Sequence, residues 1–249
     1  MSEHERLIAS AVAEARVSAI KDMALRSAAV PDVASLAWGL PSFRTPKHIR
    51  RAAARALAED PDAGKYTLPD GLPELRRLAA AHYQARTGIA LDSEANLFVS
   101  AGNMQGVNSV LRAILDPGDE VIVTDPGFAS HYQQVRLNGG TPVPWSLDEE
   151  AGWALNLDAL DACLSPRSKA LILVSPSNPT GAVFSEADLR AWRSGSRSTA
   201  YCWSSTIPIR TFCPIRKNRS STRRRKRNCV NSWSICSRFP CSRFPIFMP

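Results

Sequence analysis

The sequence lacks three features: a long apolar run, a cysteine-rich body and any acidic residue in its last 56 positions. A membrane-spanning helix needs about 18 or more consecutive apolar residues, and no stretch of this chain reaches that length. Residues 1–193 contain a single cysteine, Cys163, and the first residues are polar and acidic without an apolar core. These absences argue against an exported disulfide framework. We therefore predict a cytoplasmic globular protein that does not bind a membrane.

The net charge of +8 comes entirely from the tail, which we define as residues 194–249. Residues 1–193 hold 19 Lys and Arg against 23 Asp and Glu, whereas the tail holds 12 Lys and Arg and no acid. The tail also holds five of the six cysteines, without a Cys-x-x-Cys pair or a histidine, so its spacing gives little support to a zinc site. Its basic, serine-rich composition without periodicity predicts disorder.

Residues 96–188 alternate between short apolar runs and helical segments. The apolar runs predict strands at Asn96–Ser100, Glu120–Thr124, Thr141–Trp145 and Lys169–Val174. The segments between them predict helices at Gln105–Leu115, Ala129–Leu137 and Leu157–Cys163, and Ser185 with Asp188 predicts the capped start of another. Strands that alternate with helices predict an α/β fold, a three-layer αβα arrangement around a mainly parallel sheet.

The residues before position 96 are predicted to be mainly helical. Residues 1–30 predict a helical arm, Thr45 predicts the N-cap of a helix Pro46–Glu59, and a second helix is predicted over Leu72–Thr87. We expect the arginine pairs to lie on solvated helix faces and the histidines to be surface or packing residues. These residues are Arg50, Arg51, Arg76, Arg77, His4, His48, His82 and His131.

Three polar turns follow predicted strands, which is where open α/β sheets place their ligands. Gly102, Asn103 and Met104 follow the first strand, and unpaired backbone N–H groups at the start of the next helix favour an anion. Phe128 follows the second strand, and Asn178 lies in a turn after the fourth. Each also has a purely structural explanation: an ordinary βα turn, a core aromatic and an Asx turn.

Five segments, in order, carry a family resemblance over about residues 30–193. The turn Ser175–Gly181 is similar to the Ser-x-x-Asn-Pro-x-Gly signature of the class I/II aminotransferases, the fold-type I family that uses pyridoxal 5′-phosphate (PLP). The other segments that resemble this family are Trp38–Pro46, Tyr66–Arg76, Val99–Gly106 and Thr124–Tyr132. The resemblance implies the PLP-binding major domain of that family, incomplete in this chain.

The resemblance also implies roles for the residues of the polar turns. The backbone at Gly102, Asn103 and Met104 would bind the PLP phosphate. Phe128 would stack on the pyridine ring, and the Asn178 amide would donate a hydrogen bond to the ring oxygen. The implied reaction moves an amino group from an amino acid to a 2-oxo acid, although related lyases and cyclases share these motifs.

Two further residues receive roles from the same resemblance. Gly39 would lie beside the substrate carboxylate. Tyr66 would reach the phosphate of a neighbouring subunit, which implies a homodimer.

The residues that perform the chemistry in this family have no counterpart here. PLP catalysis needs a Schiff-base lysine and an acid paired with the pyridine nitrogen, and in the family both follow the Asn178 position. No residue after Arg193 is Asp or Glu, and neither Lys217 nor Lys226 has a suitable context. Lys169 is predicted to be a surface lysine at the start of a strand. We therefore assign no catalytic residue and predict an inactive chain.

Two hypotheses address the tail. A nucleotide gained or lost near codon 193 would leave 56 out-of-frame residues, and the domains would then be an arm (1–45), a partial PLP domain (46–193) and an aberrant tail (194–249). The alternative is a non-enzymatic PLP-domain pseudoenzyme whose tail binds nucleic acid through Arg223–Arg227 with Trp233, Phe239 and Phe244. A nucleotide-binding α/β protein ranks last, because no Gly-x-Gly-x-x-Gly or Gly-Lys-Ser/Thr loop is present.

Overall fold

The computed structural model describes residues 7–15, 19–34, 43–185, 187–188 and 246–248. In chain order the helices are α1 Ser10–Ala13, α2 Ala19–Ser27, α3 Lys47–Glu59, α4 Pro73–Thr87, α5 Gly102–Ile114, α6 Ala129–Leu137 and α7 Leu157–Cys163. The strands are β1 Leu97–Val99, β2 Glu120–Asp125, β3 Thr141–Ser146, β4 Ser168–Ile172 and β5 Ile246–Met248. The chain divides into two compact units, Ala15–Leu68 and the combination of Met1–Glu14 with Pro69–Pro249. The predicted boundaries at residues 45 and 193 stay predictions.

The first unit contains α2 and α3, close to where the composition predicts helices. The prediction that Thr45 is the N-cap of α3 is wrong, because Pro46 occupies that position. Pro46 precedes the first helical residue with an extended ψ of 140°, and no side chain caps α3. Thr45 contacts the helix through its backbone instead: the Thr45 carbonyl accepts a hydrogen bond of 2.9 Å from Arg50 Nε.

The helix α4 begins with Pro73 in its first turn and ends at Gly88, whose φ of 73° lies in the left-handed region. Both signals are those that the sequence offers, and the predicted helix is confirmed. One prediction for this helix is wrong: Arg76 is buried together with Ala79, Ala80 and Tyr83 rather than solvated. Arg77 is exposed, as expected.

The sheet is parallel, which confirms the predicted α/β fold class. Three strands are hydrogen-bonded in the order β3-β2-β4. In register, Ile122 of β2 lies between Val143 of β3 and Leu171 of β4. The strand β1 belongs to a separate two-stranded sheet, in which it pairs with β5.

Alternate residues of β2 and β4 face two different cores, which produces the three layers. Val121, Val123 and Ile172 pack with α5 and α6 in one cluster. Ile122 and Leu171 pack with Trp145 and α7 residues in the other. Because β2 is covered on both faces, its central residues Val121–Val123 are at most 1% exposed, as a continuous apolar run in a parallel strand requires.

One short segment of the tail forms a strand that the sequence does not predict. Ile246–Met248 forms β5 and runs parallel to β1, with Leu97 opposite Ile246. Residues 194–245 lie outside the described part of the chain, so the predicted disorder of the tail and the nucleic-acid-binding alternative stay predictions. No helix in the described part is long and apolar enough to cross a membrane.

Candidate functional site

The candidate site consists of three loops at the carboxyl ends of strands. We call them the α5 turn (Ser100–Met104), the Phe128 loop (Pro126–Phe128) and the Asn178 turn (Ser175–Gly181). The Phe128 loop and the Asn178 turn follow β2 and β4, which are parallel neighbours, so both loops lie at the same edge of the sheet. The α5 turn follows β1 and is tied to this edge through helix α6.

The α5 turn has the geometry of an anion site. The helix starts at Gly102, three residues earlier than predicted, so the three residues expected to bind phosphate are its first three. The Gly102 N–H donates a hydrogen bond of 2.8 Å to the Ser100 carbonyl, and the Ser100 hydroxyl donates one of 3.0 Å to the Gly102 carbonyl. Among the described residues, the N–H groups of Asn103 and Met104 find no acceptor. These two donors and the positive end of the helix dipole favour a phosphate.

Buried polar residues on α6 and at its end bond to the α5 turn and to helix α5. Gln134 is 6% exposed, and its Nε2 donates 2.6 Å to the Met104 carbonyl. One turn later, Asn138 Nδ2 donates 2.8 Å to Asn108 Oδ1. The sequence reasoning missed both residues. Their spacing, which puts His131, Gln134 and Asn138 on one helix face, was the available signal.

The Phe128 loop folds tightly back on the end of β2. A Cβ atom added to Gly127 would lie 2.1 Å from the Thr124 carbonyl oxygen, so the close approach requires glycine. Phe128 is half-buried and precedes the first residue of α6. Its ring meets the His131 ring edge-on, with centroids 5.2 Å apart and an interplanar angle of 75°. The aromatic therefore stands at the site with one side packed on α6.

His131 is the most deeply buried titratable group next to the site. Its side chain is 2% exposed, and burial lowers the pKa of His131 from 6.5 to about 4. Its Nε2 has no hydrogen-bond partner among the described residues. The imidazole is therefore neutral at pH 7. On the next residue, burial and then the charge of Asp125 raise the pKa of Tyr132 to about 12, and its hydroxyl donates 3.4 Å to the Thr124 carbonyl.

The Asn178 turn is closed by its backbone and leaves the Asn178 side chain exposed. The Ser177 N–H donates 2.7 Å to the Ala182 carbonyl, and the Gly181 N–H donates 2.8 Å to the Ser177 carbonyl. The Asn178 amide makes no hydrogen bond within the part of the chain that the structure describes. The Asx-turn explanation of this residue is therefore not observed, and the amide is available to a ligand.

Two expected site residues lie outside the described part of the unit that holds these loops. Gly39 lies outside the described residues. Tyr66 lies in the Ala15–Leu68 unit, and its side chain is fully exposed.

Lys169 is the one described lysine of the unit that holds these loops, and it does not lie at the loop edge of the sheet. Lys169 stands near the start of β4, at the opposite edge, where its Nζ lies 2.9 Å from the Asp119 carboxylate, in agreement with the prediction of a strand-start surface residue. Lys21, Lys47 and Lys65 belong to the other unit. Within the described ranges, no group of three or more His, Cys, Asp or Glu residues could hold a metal ion.

Comparisons with known proteins identify the family of this chain. The family model of aminotransferase class I and II matches residues 31–194. The chain is 42% identical over 167 residues to the aspartate/prephenate aminotransferase of Cereibacter sphaeroides, a match that covers 66% of this chain and 40% of that protein. It is 40% identical over 160 residues to a probable aspartate/prephenate aminotransferase of Thermus aquaticus, with 64% and 41% covered.

A solved structure gives the same result. The aspartate aminotransferase from Thermus thermophilus with maleate superposes with a TM-score of 0.69 at 35% identity, and the match covers 79% of this chain and 52% of that one. The chain thus spans about half the length of its relatives or less. Because the family model matches well over half of its residues, the chain belongs to the aminotransferase class I and II family.

Proposed function

We propose that this chain binds PLP at the carboxyl ends of β1, β2 and β4, with the phosphate on the α5 turn. The observation that carries the proposal is the pair of acceptor-free N–H groups at Asn103 and Met104, which Gln134 holds in place from a buried position. A phosphate dianion matches such a helix start in charge and in hydrogen-bonding capacity. Gly102, with a φ of 74°, turns the backbone into the helix at this point.

The other two loops fit the rest of the cofactor. Phe128 presents a half-buried ring that would stack on the pyridine ring and exclude water from one of its faces. The exposed Asn178 amide would donate a hydrogen bond to the ring oxygen and orient the ring. When bound, PLP supplies an electron-accepting ring for amino-group transfer between amino acids and 2-oxo acids.

We propose that the chain binds PLP but does not catalyse amino-group transfer, because two groups that the reaction needs are missing from the described part of the site. Transfer of the amino group needs a lysine within reach of the cofactor carbonyl, and the one described lysine of the unit that holds the site, Lys169, lies at the opposite edge of the sheet. It also needs an acid at the pyridine nitrogen, and no Asp or Glu follows Asp188. A protein that retained these groups would act as an aminotransferase. Relatives are named for aspartate and prephenate, so we propose a dicarboxylic amino donor for such a protein.

We propose that Tyr66 contacts the phosphate of a second subunit in a homodimer and that Gly39 adjoins the substrate carboxylate. The fully exposed Tyr66 side chain supports the first role, because it leaves the phenol available to another chain.

Titration of the purified chain with PLP, followed by the quenching of protein fluorescence, tests the proposed function. We expect saturable binding that inorganic phosphate displaces, and no covalent adduct after borohydride reduction. Replacement of Phe128 by Ala should weaken binding about fivefold, because a stacked aromatic contributes about 1 kcal/mol. Leu137→Ala, an exposed change on the same helix α6, is the matched control. Binding that neither phosphate nor Phe128→Ala reduces would contradict the site.

A further inference from the structure

A buried arginine lies next to the candidate site without belonging to it. Arg76 is 4% exposed, on the face of α4 that also carries Ala79 and Ala80. These two alanines pack with Leu97, the first residue of β1. Burial of a guanidinium is costly unless the group is paired and hydrogen-bonded, so its contacts indicate what it holds.

A single nitrogen of Arg76, Nη1, contacts two segments that lie beside β1, one at Ser93 and one at Asp70. Nη1 donates 3.0 Å to the Ser93 carbonyl, in the turn that leads into β1. The same Nη1 lies 2.8 Å from the Asp70 carboxylate. The Asp70 carbonyl in turn accepts a hydrogen bond of 3.0 Å from the N–H of Val99, the last residue of β1. Arg76 therefore links the turn that precedes β1 to Asp70, the residue hydrogen-bonded to the last residue of the strand.

The backbone at Asp70 and Gly71 lies directly on Val99. Gly71 has a φ of 94°, and a Cβ atom at this position would lie 2.7 Å from Val99 Cβ. From Val99 the chain passes into the α5 turn, where Ser100 and Gly102 bond to each other. A shift of residues 70–71 would therefore be transmitted to the first residue of α5, Gly102, which follows Val99 after three peptide bonds.

The strand β1 depends on these contacts more than the other strands do. It has three residues, and its one partner among the described strands is β5. The three-stranded sheet that fixes the Phe128 loop and the Asn178 turn does not include it. Contacts with α4 and with the loop before it thus help to fix the position of β1.

We infer that Arg76 is a positioning residue for phosphate recognition: acting through Asp70 and Val99, it sets the place of the N–H donors at Asn103 and Met104. The inference rests on the proposed function, since it names a residue that supports the same site. Arg76 does not touch the ligand. Its loss should affect the phosphate of PLP and leave recognition of the ring intact.

The test compares Arg76→Met, Arg76→Lys and Asp70→Asn with Arg77→Met, an exposed change at the next position of α4. The dissociation constants for PLP and for pyridoxal, which lacks the phosphate, are measured for each variant. We expect Arg76→Met and Asp70→Asn to weaken PLP binding about tenfold, and pyridoxal binding less than about twofold. Arg76→Lys, which keeps the charge but not the forked geometry, should be intermediate, and Arg77→Met should be unchanged. Equal losses for the two ligands would overturn the inference, because they indicate general damage to the fold.

Hydrogen exchange without any ligand separates this inference from the proposed function. We expect faster exchange of the Val99–Gly106 amides in Arg76→Met and Asp70→Asn and unchanged exchange in α6. Unchanged exchange in Val99–Gly106 would overturn the positioning role, whatever the affinity for PLP. If the parent chain does not bind PLP, the proposed function fails and the exchange data still decide the role of Arg76. Asp70 is 42% exposed, so Asp70→Asn provides the result if Arg76→Met does not fold.

Discussion

At the scale of single residues, the environment of a side chain outweighs its type. His131 and Arg76 both carry groups that are ordinarily solvated, and both are at most 4% exposed. Arg76 forms an ion pair with Asp70, whereas His131 has no partner for Nε2 in the described part of the chain. A buried imidazole without a counter-charge is stable only in its neutral form.

The neutral state of His131 makes the stability of the protein depend on pH. The unfolded chain takes up a proton near pH 6.5, while burial lowers the pKa of the folded His131 to about 4. Between these values the unfolded state binds more protons, so the free energy of unfolding falls as the pH is lowered from 6.5 to 4. The loss should approach about 3 kcal/mol.

Urea unfolding at a series of pH values measures this effect. His131→Gln should flatten the dependence between pH 6.5 and 4, because it removes the titrating group. His82→Gln, at an exposed position, is the control and should keep the parent slope. An unaltered slope in His131→Gln would show that other groups cause the dependence.

At the scale of elements, helix α7 is fastened to the sheet by its own cap. Asn156 precedes the helix, and its side chain accepts a hydrogen bond of 3.0 Å from the Ala159 N–H. Its backbone carbonyl accepts 2.7 Å from the indole N–H of Trp145, which is fully buried in β3. One residue thus ends the loop, starts the helix and satisfies the buried indole.

Replacement of Asn156 by Ala should lower the free energy of unfolding by about 1 kcal/mol, because it removes a side-chain cap. The bond from Trp145 should persist, since it ends on the backbone. Asn156→Asp, which retains a capping oxygen, should stay close to the parent value. Urea unfolding followed by tryptophan fluorescence checks the pair, and equal destabilisation in both variants would argue against a capping role.

At the scale of the whole molecule, the family similarity and the composition change together. The family match ends at residue 194, and the chain continues to residue 249 with 12 basic and no acidic residues. Within the tail, the described residues form β5. The abrupt change supports the hypothesis of a shifted reading frame near codon 193.

Resequencing the gene from codon 170 through the following several hundred bases tests that hypothesis. We expect one extra or missing base near codon 193, with an Asp-x-x-Tyr segment and a Ser-x-x-Lys segment restored in the other frame. The protein from the restored frame should transfer the amino group of aspartate to a 2-oxo acid, whereas the 249-residue chain should not. A confirmed sequence without a suitable lysine codon downstream would instead establish a pseudoenzyme.

Local patterns in the sequence by themselves determined most of the elements and the positions of the three loops. The apolar run of β2, the glycine after α4 and the Ser185–Asp188 cap predicted structure correctly, because each depends on residues within a few positions. The two residues of this cap bond to each other reciprocally. The Asp188 N–H donates a hydrogen bond of 3.1 Å to Ser185 Oγ, and the Ser185 N–H donates one of 3.0 Å to the Asp188 carboxylate. The positions of the three loops were predicted correctly for the same reason, because each loop directly follows its strand in the sequence.

Only the tertiary structure decided which polar side chains support those loops. The burial of Arg76 depends on Asp70 and Ser93, and Gln134 reaches Met104 across 30 residues. The pairing of β5 with β1 spans a still longer separation. Periodicity reports which face of an element is apolar, but it does not report what lies opposite that face. Contacts between residues distant in the chain are decided when the layers pack, and the support of the site is made of such contacts.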